Sequence, residues 1–254
     1  MKDGFVYVAS VSEAYYKAAV RSAISLKDNY PEADITLFTH KSFFKEEDRK
    51  FFNNVNFDIP VHVRAKMWGM ARSPYDRTLY VDADTEIRSE RIAEVFDILG
   101  DNDIMFTRII PHVSKDRLID KDNELEYHGG IILYNSKDIT IQLMHDWYNT
   151  YVTQINTYDW ENSKFAAYSK KLRPWDQFTI WYLLQQEEYK SVRHDFFPEG
   201  GHEFNYIYLL EDKKSPFNEK YSHIDPVIFH YSIPRGVVDA SNIKHQFGIN
   251  GDFD

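Results

Sequence analysis

Residues Arg77 to Ile87 read RTLYVDADTEI, and this stretch decides the fold class. Thr78 to Val81 form a short apolar run with β-branched and aromatic members, which is typical of a buried strand in a parallel sheet. The run ends abruptly at two acidic residues one position apart, Asp82 and Asp84. Open α/β sheets bind their ligands at the carboxyl ends of such strands. The stretch therefore predicts an α/β protein with a ligand crevice beside these two aspartates.

Asp82 and Asp84 are candidate ligands for one metal ion. Side chains at positions i and i+2 of an extended segment point the same way, so a slight bend lets both carboxylates converge on a hard cation. An acidic pair at the end of a buried strand is costly unless something compensates its charge. The alternative is a solvated turn after a strand, and we favour the metal site.

Composition limits what the crevice can hold. The 254 residues include 40 acidic and 30 basic side chains, a formal charge of -10 that disfavours nucleic acid or an anionic membrane as a partner. The absence of cysteine excludes thiolate nucleophiles and thiolate metal sites. The N-terminal residues lack the features of a signal peptide, and no window is long and apolar enough to span a bilayer, so we expect a cytoplasmic location.

The first forty residues predict a β-α-β unit. Phe5 to Ala9 and Asp34 to Phe38 are short apolar strands, and they flank a helix over Ala14 to Asn29 with Ser12 as its N-cap. This resembles half of a nucleotide-binding fold, although neither GxGxxG nor a P-loop occurs. Further helices are expected over Lys41 to Asn56, Arg64 to Arg72, Ala93 to Leu99, Ile139 to Tyr151 and Arg173 to Leu184, further strands over Asp103 to Thr107 and Ile131 to Tyr134, and a binding loop over Thr153 to Lys170.

Several polar residues outside the aspartates are candidates for the same crevice. Lys66 and Arg77 flank the acidic pair in sequence and could pair with a diphosphate, although surface ion pairs would explain them equally well. Gly129 and Gly130 at a strand start allow close approach of a ligand, or form a tight turn. His230 follows a short apolar strand as the aspartates do, and imidazole joins carboxylates around Mn²⁺-like ions.

Asp176 and Gln177 begin the apolar helix of RPWDQFTIWYLL. A carboxylate near a helix N-terminus is favourable whatever its function, so a purely structural role is a strong alternative. A carboxylate beside a carboxamide is also what a sugar site uses to hold hydroxyl groups.

Five segments in this order resemble the family 8 glycosyltransferases, the glycogenin and lipooligosaccharide galactosyltransferase group with the GT-A fold. They are FVYVASVSEAYYKAAVRSAISLK, YDRTLYVDADTEI, YHGGIILYN, the DQ of RPWDQFTIWYLL, and HYSIPRG, and they span almost the whole chain. The resemblance implies a single α/β domain with a mixed, mostly parallel central sheet flanked by helices. Residues 1–110 would form its nucleotide-binding half, and residues 111–254 its acceptor-binding half with the late metal ligand.

The resemblance also implies transfer of a hexose from a UDP-sugar, UDP-glucose or UDP-galactose, to a glycan or other hydroxyl acceptor with retention. Asp82, Asp84 and His230 would hold Mn²⁺ or Mg²⁺. The acceptor would contact Thr153 to Lys170 and the aromatic residues around Trp160 and Trp175. Donor-binding positions would be Val8, Ala9, Ser10, Tyr15, Lys66, Arg77, Asp82, Ala83, Asp84, Gly129, Gly130 and Arg235, and catalytic positions Asp176, Gln177 and His128.

The chain departs from the family pattern at two elements. The family often has Asn where His128 stands. Its final element usually reads His-x-x-Gly-x-x-Lys-Pro-Trp, whereas Ile233 replaces the glycine here and Gly236 comes later. The phosphate-binding lysine therefore has no direct match, and Arg235 is the nearest substitute.

Two other classes of protein fit parts of the sequence. An aspartyl-phosphate phosphatase also places two aspartates one residue apart after a strand, but it needs them early in the chain and a hydroxyl or valine at the position of Glu86. A carbohydrate-binding protein that kept the fold but lost transfer would have the same aromatic residues, and turnover of a nucleotide sugar separates it from an enzyme.

Overall fold

A computed structural model describes residues 1–62, 64–109, 118–120, 124–207 and 221–231. Ten strands lie in these ranges: β1 Asp3–Ala9, β2 Ile35–Thr39, β3 Asn54–Asn56, β4 Arg77–Val81, β5 Thr85–Ile87, β6 Ile104–Arg108, β7 Tyr127–Asn135, β8 His194–Phe196, β9 Tyr206–Ile207 and β10 Ile228–His230. Seven of them form one sheet in the order β3-β2-β1-β4-β7-β6-β8, and the order of a smaller sheet is β5-β10-β9.

The large sheet is mostly parallel, which confirms the predicted fold class. Among its described strands β7 alone is antiparallel to its neighbours, β4 and β6. Strands β1, β2 and β4 are almost wholly buried, as the continuous apolar runs of the sequence predict for a sheet covered on both faces. Their carboxyl ends therefore open at the same edge of the sheet, where the aspartates follow β4.

Four α-helices cover the sheet in the described residues: α1 Glu13–Asn29, α2 Lys66–Met70, α3 Asp138–Asn156 and α4 Asp176–Leu184. Ser12 caps α1 as predicted, because its hydroxyl accepts a hydrogen bond from the backbone N–H of Tyr15. Within the described residues, no helix is long and apolar enough to cross a membrane. Short 3₁₀ helices occupy Glu46–Phe51, Glu90–Leu99, Lys170–Leu172, Glu187–Tyr189 and Pro198–Gly201.

The two faces of the sheet carry different parts of the core. On one face α1 buries Ala19, Ala23 and Leu26 against β1 and β2. On the other, α2, α3 and α4 bury large side chains such as Trp147 and Met67. The small residues of α1 let its backbone approach the sheet closely, while the aromatic and sulfur-containing side chains opposite fill a wider space.

The prediction of a surface helix over Lys41 to Asn56 is wrong. This segment contains the 3₁₀ helix Glu46–Phe51 followed by β3, which pairs with β2 in parallel. Asn53 explains the change, because its side-chain oxygen and its backbone N–H form hydrogen bonds with the backbone of Ile35. Phe52 is buried in the core beneath. These tertiary contacts outweigh the helical propensity of the charged run.

Part of the segment Thr153 to Lys170, which was expected to form an acceptor-binding loop, contributes to the core. Its first four residues complete α3. Trp160 is only 3% exposed, stacks on Phe165 with ring centroids 5.1 Å apart, and packs near Phe178. Trp175 packs at the edge of this cluster and is partly buried. The aromatic residues here fill space under α4, so Trp160 presents no surface to an acceptor.

Gln154, near the end of α3, fixes the segment that leads into α4. Its fully buried amide nitrogen donates hydrogen bonds to the backbone carbonyls of Arg173 and Trp175, and its carbonyl accepts one from the Thr179 hydroxyl. Buried backbone carbonyls need such donors because water does not reach them. Gln154 therefore sets where the first turn of α4, and with it Gln177, stands.

We predict that Gln154→Met lowers the free energy of unfolding by about 2–4 kcal/mol, because it keeps the volume but strands several buried polar groups. Chemical denaturation measures this value. The matched control is Gln142→Met in the same helix, where the amide is exposed and bonds to Asp146 alone among the described residues, and a change below about 0.5 kcal/mol is expected. Equal effects of the two substitutions would contradict the proposed role of Gln154.

Candidate active site

A crevice opens at the carboxyl ends of β1 and β4, where the sequence predicts it. Its floor is the segment that follows β4, and its walls come from the loop after β1, the start of α2, the start of β7 and the end of β10. The lining residues are Val8, Ser10, Val11, Tyr15, Arg64, Ala65, Lys66, Tyr80, Asp82, Ala83, Asp84, His128, Gly129, Gly130, Gln177 and His230.

Three side chains form a candidate metal centre in this crevice, and we call them the metal triad: Asp82, Asp84 and His230. One ligand atom from each lies within 4.8 Å of the others. His230 Nε2 is 3.3 Å from an Asp84 carboxylate oxygen and 3.9 Å from one of Asp82. Strand pairing explains the meeting, because β10 places His230 opposite Thr85, the residue after Asp84.

Asn205 orients His230 toward the two carboxylates. Its side-chain oxygen lies 2.8 Å from His230 Nδ1, while its amide nitrogen donates to the Thr107 hydroxyl at 2.9 Å. With the Asn205 amide held in that direction, Nδ1 carries a proton and Nε2 faces the carboxylates. Two carboxylates and an imidazole held this way fit a divalent cation that accepts oxygen and nitrogen ligands.

Electrostatics within the triad leads to the same conclusion. Burial by itself would lower the pKa of His230, but the neighbouring carboxylates, Asp84 before Asp82, outweigh it and raise that pKa. The carboxylates therefore favour positive charge on the His230 imidazole, at the position where the triad converges. A bound divalent cation would supply that charge instead.

Tyr80 and Tyr15 are the phenols of the crevice. The Tyr80 hydroxyl donates a hydrogen bond to Asp82, and burial together with the Asp82 charge raises the pKa of Tyr80 well above its ordinary value. Burial, Asp84 and Asp82 raise the pKa of Tyr15 to about 12. Both phenols therefore stay protonated at neutral pH and act as hydrogen-bond donors beside the metal triad.

Glycine is required at the two positions where β7 closes over the crevice. A Cβ atom on Gly130 would lie 2.6 Å from His230 Cε1 and 2.8 Å from an Asp82 oxygen. One on Gly129 would lie 2.7 Å from the Lys66 ammonium nitrogen. Because no side chain fits there, the pair allows the close approach that the sequence suggested. His128 helps to hold the turn, since its Nδ1 accepts a hydrogen bond from the backbone N–H of Gly130.

Beneath the crevice lies a second charged group, the cation clamp, made of Arg64, Lys66 and Asp176. Asp176 is fully buried at the start of α4. Its two carboxylate oxygens each lie 3.1 Å from a cation, Arg64 Nε on one side and Lys66 Nζ on the other. Burial would raise the pKa of Asp176, but the two cations more than offset it and lower that pKa. Asp176 is therefore ionised and forms ion pairs with both cations.

The structure brings most of the predicted site residues together. Among them, Val8, Ser10, Tyr15, Lys66, Ala83, Gln177, both glycines, His128 and the metal triad line the crevice. Ala9 is buried in the core behind it, and Asp176 lies under it rather than in its lining. Arg235, with Ile233 and Gly236, lies outside the described residues.

Arg77 does not reach the crevice, which corrects its expected contact with a diphosphate. It is the first residue of β4, about 13 Å of strand away from the end where the crevice opens. Its guanidinium pairs with Asp3 and donates to the backbone carbonyl of Phe96. Nearness to the aspartates in sequence is misleading here, because a strand carries its two ends to opposite edges of the sheet.

Sequence reasoning missed three residues that shape the site: Arg64, Asn205 and Tyr80. Arg64 and Lys66 are two positions apart, and that spacing was a usable signal for a pair of cations. Tyr80 and Asp82 are two positions apart in an extended segment, so the strand period of two could have predicted that their side chains point the same way. Asn205 carries no local signal, since it meets His230 only through the small sheet of β5, β9 and β10.

No family model matches the sequence, and no curated protein matches it. Solved structures do match. The chain is similar to glycosyltransferase GlyE of Streptococcus pneumoniae TIGR4, at 14% identity and a TM-score of 0.60, over 92% of this chain and 55% of that one. The galactosyltransferase LgtC, solved with donor and acceptor sugar analogs, matches at 16% identity and a TM-score of 0.54, over 97% and 95% of the two chains.

The chain has a glycosyltransferase fold. A further match, mouse xyloside xylosyltransferase 1, has 12% identity and a TM-score of 0.51 over 90% of this chain and 97% of that one. These matches confirm the predicted fold, a mostly parallel sheet flanked by helices, and at such identities they show the fold alone. The chain spans about half the length of GlyE. Membership of family 8 stays a prediction.

We predict that Asn205→Ala weakens binding of Mn²⁺ by about 10–100-fold, because His230 loses the partner that fixes its orientation. Isothermal titration calorimetry with the metal alone measures this. Asn162→Ala is the matched control and should leave the affinity unchanged, because it removes an exposed amide whose partner within the described part of the chain is Asp159. An unchanged affinity in Asn205→Ala would show that His230 does not need this support.

We predict that Asp176→Asn lowers the free energy of unfolding by about 3–5 kcal/mol at pH 7, because it leaves two buried cations without their counter-charge. The pKa of Asp176 is lowered in the folded state, so its stabilisation is present above the ordinary carboxyl pKa and is lost as pH falls through the folded one. The difference between wild type and variant should therefore narrow only below about pH 4. Denaturant titrations at several pH values check this, and a pH-independent difference would contradict it.

Proposed function

We propose that this protein is a metal-dependent glycosyltransferase that moves a hexose from a UDP-sugar to a hydroxyl of a glycan or other acceptor, with retention of configuration. UDP-glucose and UDP-galactose are the proposed donors, and Mn²⁺ or Mg²⁺ the ion. The observation that carries the proposal is the metal triad, whose three ligand atoms lie within 4.8 Å at the ligand-binding edge of a glycosyltransferase fold.

The charges of the crevice suit a diphosphate leaving group. A bound divalent cation would neutralise negative charge as it develops on the diphosphate. Asp82, Asp84 and His230 would hold that ion, and Asn205 and Tyr80 would keep the ligands in place. Lys66 lines the crevice with its ammonium group fixed by the Gly129 carbonyl, at 2.6 Å, and by Asp176. Its positive charge is preorganised and needs no rearrangement during transfer.

Gln177 is the group that we assign to the donor sugar. It lines the crevice at the start of α4, and its side-chain carbonyl is buried without a hydrogen-bond partner among the described residues. A buried acceptor of this kind is completed by a donor such as a sugar hydroxyl. Asp176, in contrast, acts as a positioning residue, because it lies beneath the lining and each of its oxygens is ion-paired with a cation, Arg64 or Lys66.

We assign different parts of the site to the two halves of the chain. Residues 1–110 supply Ser10, Tyr15, Lys66 and the two aspartates, and so form the nucleotide-binding half. Residues 111–254 supply Gln177 and His230 and form the half that completes the donor site and receives the acceptor. Both halves contribute strands to one sheet, which supports a single domain.

A panel of nucleotide sugars incubated with Mn²⁺, with and without chelator, tests the function through release of nucleoside diphosphate. We expect release from a UDP-hexose that the chelator abolishes. A protein that binds UDP with metal but turns over no donor would be a binding protein of the same fold. If no donor reacts and UDP does not bind, the proposal is wrong.

We predict that Asp84→Asn reduces metal-dependent binding of UDP at least 100-fold while the thermal unfolding midpoint stays within a few degrees of wild type. The substitution removes a charged ligand but keeps its shape and its backbone contact with Tyr231. Calorimetric titration of UDP with Mn²⁺ present measures the loss. Asp101→Asn, at an exposed position outside the crevice, is the matched control. Full UDP affinity in Asp84→Asn would rule out this metal site.

A further inference from the structure

A second concave surface lies beside the crevice, and we call it the aromatic groove. Tyr127, Trp181 and Phe196 supply its rings, and Asp120, Glu124 and Glu126 supply its carboxylates. Its volume is about 320 Å³. That is within the range of small-molecule pockets, about 300–1,000 Å³.

The aromatic groove shares two walls with the crevice. Gln177 and Trp181 are four positions apart on α4 and therefore lie on the same face of that helix, about 6 Å apart along its axis. Gln177 lines the crevice and Trp181 lines the groove. On β7, Gly129 and Tyr127 are two positions apart, about 7 Å, and share a face of the sheet. Gly129 lines the crevice and Tyr127 the groove, so a molecule in the groove lies next to the proposed donor sugar.

The rings of the groove are held in place by their neighbours. Tyr127 stacks on Phe196 with ring centroids 5.3 Å apart and an interplanar angle of 23°. Trp181 stacks on Phe178 at 6.1 Å and 22°. Tyr127 is buried and Arg108 lies over Phe196, so these two rings form the wall of the groove, whereas Trp181 is partly exposed. A rigid aromatic face such as that of Trp181 accepts the C–H bonds of a pyranose ring at little entropic cost, while the ring hydroxyls remain free for polar partners.

The described lining of the groove is acidic. Glu126 pairs with Arg108 at 3.2 Å, and that guanidinium lies over the Phe196 ring. Asp120 and Glu124 add two further acidic side chains to the described lining of the groove. Carboxylates accept hydrogen bonds from sugar hydroxyls but repel phosphate and uronic acid groups.

We propose that the aromatic groove is the acceptor subsite and that it binds an uncharged, hydroxyl-bearing sugar ring. The role of this ring as the acceptor rests on the proposed function. Binding of the ring to the groove does not, because it would occur with or without transfer. The inference also replaces Trp160 and its loop, which the sequence suggested for the acceptor, with a surface formed by α4, β7 and β8.

Binding is tested directly with methyl hexosides and the corresponding methyl hexuronides, which differ by one carboxylate. The indole N–H signal of Trp181, assigned in nuclear magnetic resonance spectra with Trp181→Phe, reports the site. We expect saturable shifts with at least one neutral glycoside and binding at least 10-fold weaker for its uronide. No shift with any neutral glycoside, or equal affinity for the uronide, would overturn the proposal.

Two variants test the aromatic groove: Trp181→Ala changes its packing, and Glu124→Lys changes its charge. Trp181→Ala should raise the dissociation constant for the neutral glycoside, and the acceptor KM, at least 10-fold, while kcat changes less than KM. Phe57→Ala, another partly exposed aromatic residue outside both cavities, is its control. Glu124→Lys changes an exposed side chain, so the variant should fold. It should bind the uronide more nearly as tightly as the neutral glycoside. Glu32→Lys, at another exposed position, is its control and should leave the ratio of the two affinities unchanged.

The outcomes separate this inference from the proposed function. Saturable binding at Trp181 without turnover of any nucleotide sugar would leave the groove as a sugar site and reject transferase activity. Turnover that Trp181→Ala and Glu124→Lys both leave unaffected, with folding intact, would place the acceptor elsewhere and reject the groove.

Discussion

The antiparallel pairing of β5 with β10 is the constraint on which the site depends. It places His230 opposite Thr85, and the backbone N–H of Tyr231 donates to the Asp84 carbonyl at 2.9 Å. The aspartates therefore meet an imidazole that comes from the other end of the chain. Sheet register fixes side-chain direction with a period of two, so a slip of one residue would turn His230 away from Asp84.

A second pairing completes the crevice from the opposite side. The backbone N–H of Asp82 donates to the Gly130 carbonyl at 2.8 Å, which continues the ladder between β4 and β7 beyond the end of β4. Gly130 thus lies over the metal triad, where a Cβ atom would clash with His230 and Asp82. The same extension of β7 places Gly129 against Lys66, so one strand end contacts both the metal triad and the cation clamp.

The sequence predicted the elements that are defined by local pattern. Thr78 to Val81 could be recognised as a strand because its apolar run and abrupt acidic end are local features, and Ser12 because capping involves neighbouring residues. Arg77, Trp160 and Lys41 to Asn56 were misassigned because their environment depends on distant partners, namely Asp3, Phe178 and Ile35. Asn205 was missed for the same reason: it becomes important only after β9 and β10 have paired.

The charges in the crevice explain why the proposed binding of a diphosphate would need a divalent ion. Asp82 and Asp84 carry two negative charges, and the positive charges of Arg64 and Lys66 are partly balanced by Asp176 beneath them. Without an ion, a diphosphate entering the crevice would meet two carboxylates and about one unbalanced positive charge, and repulsion would prevail. A divalent ion on the metal triad would reverse that balance on the side of the aspartates. The proposed function would then use two sources of positive charge, the clamp and the ion, and Gly129 and Gly130 add no side chain to the crevice between them.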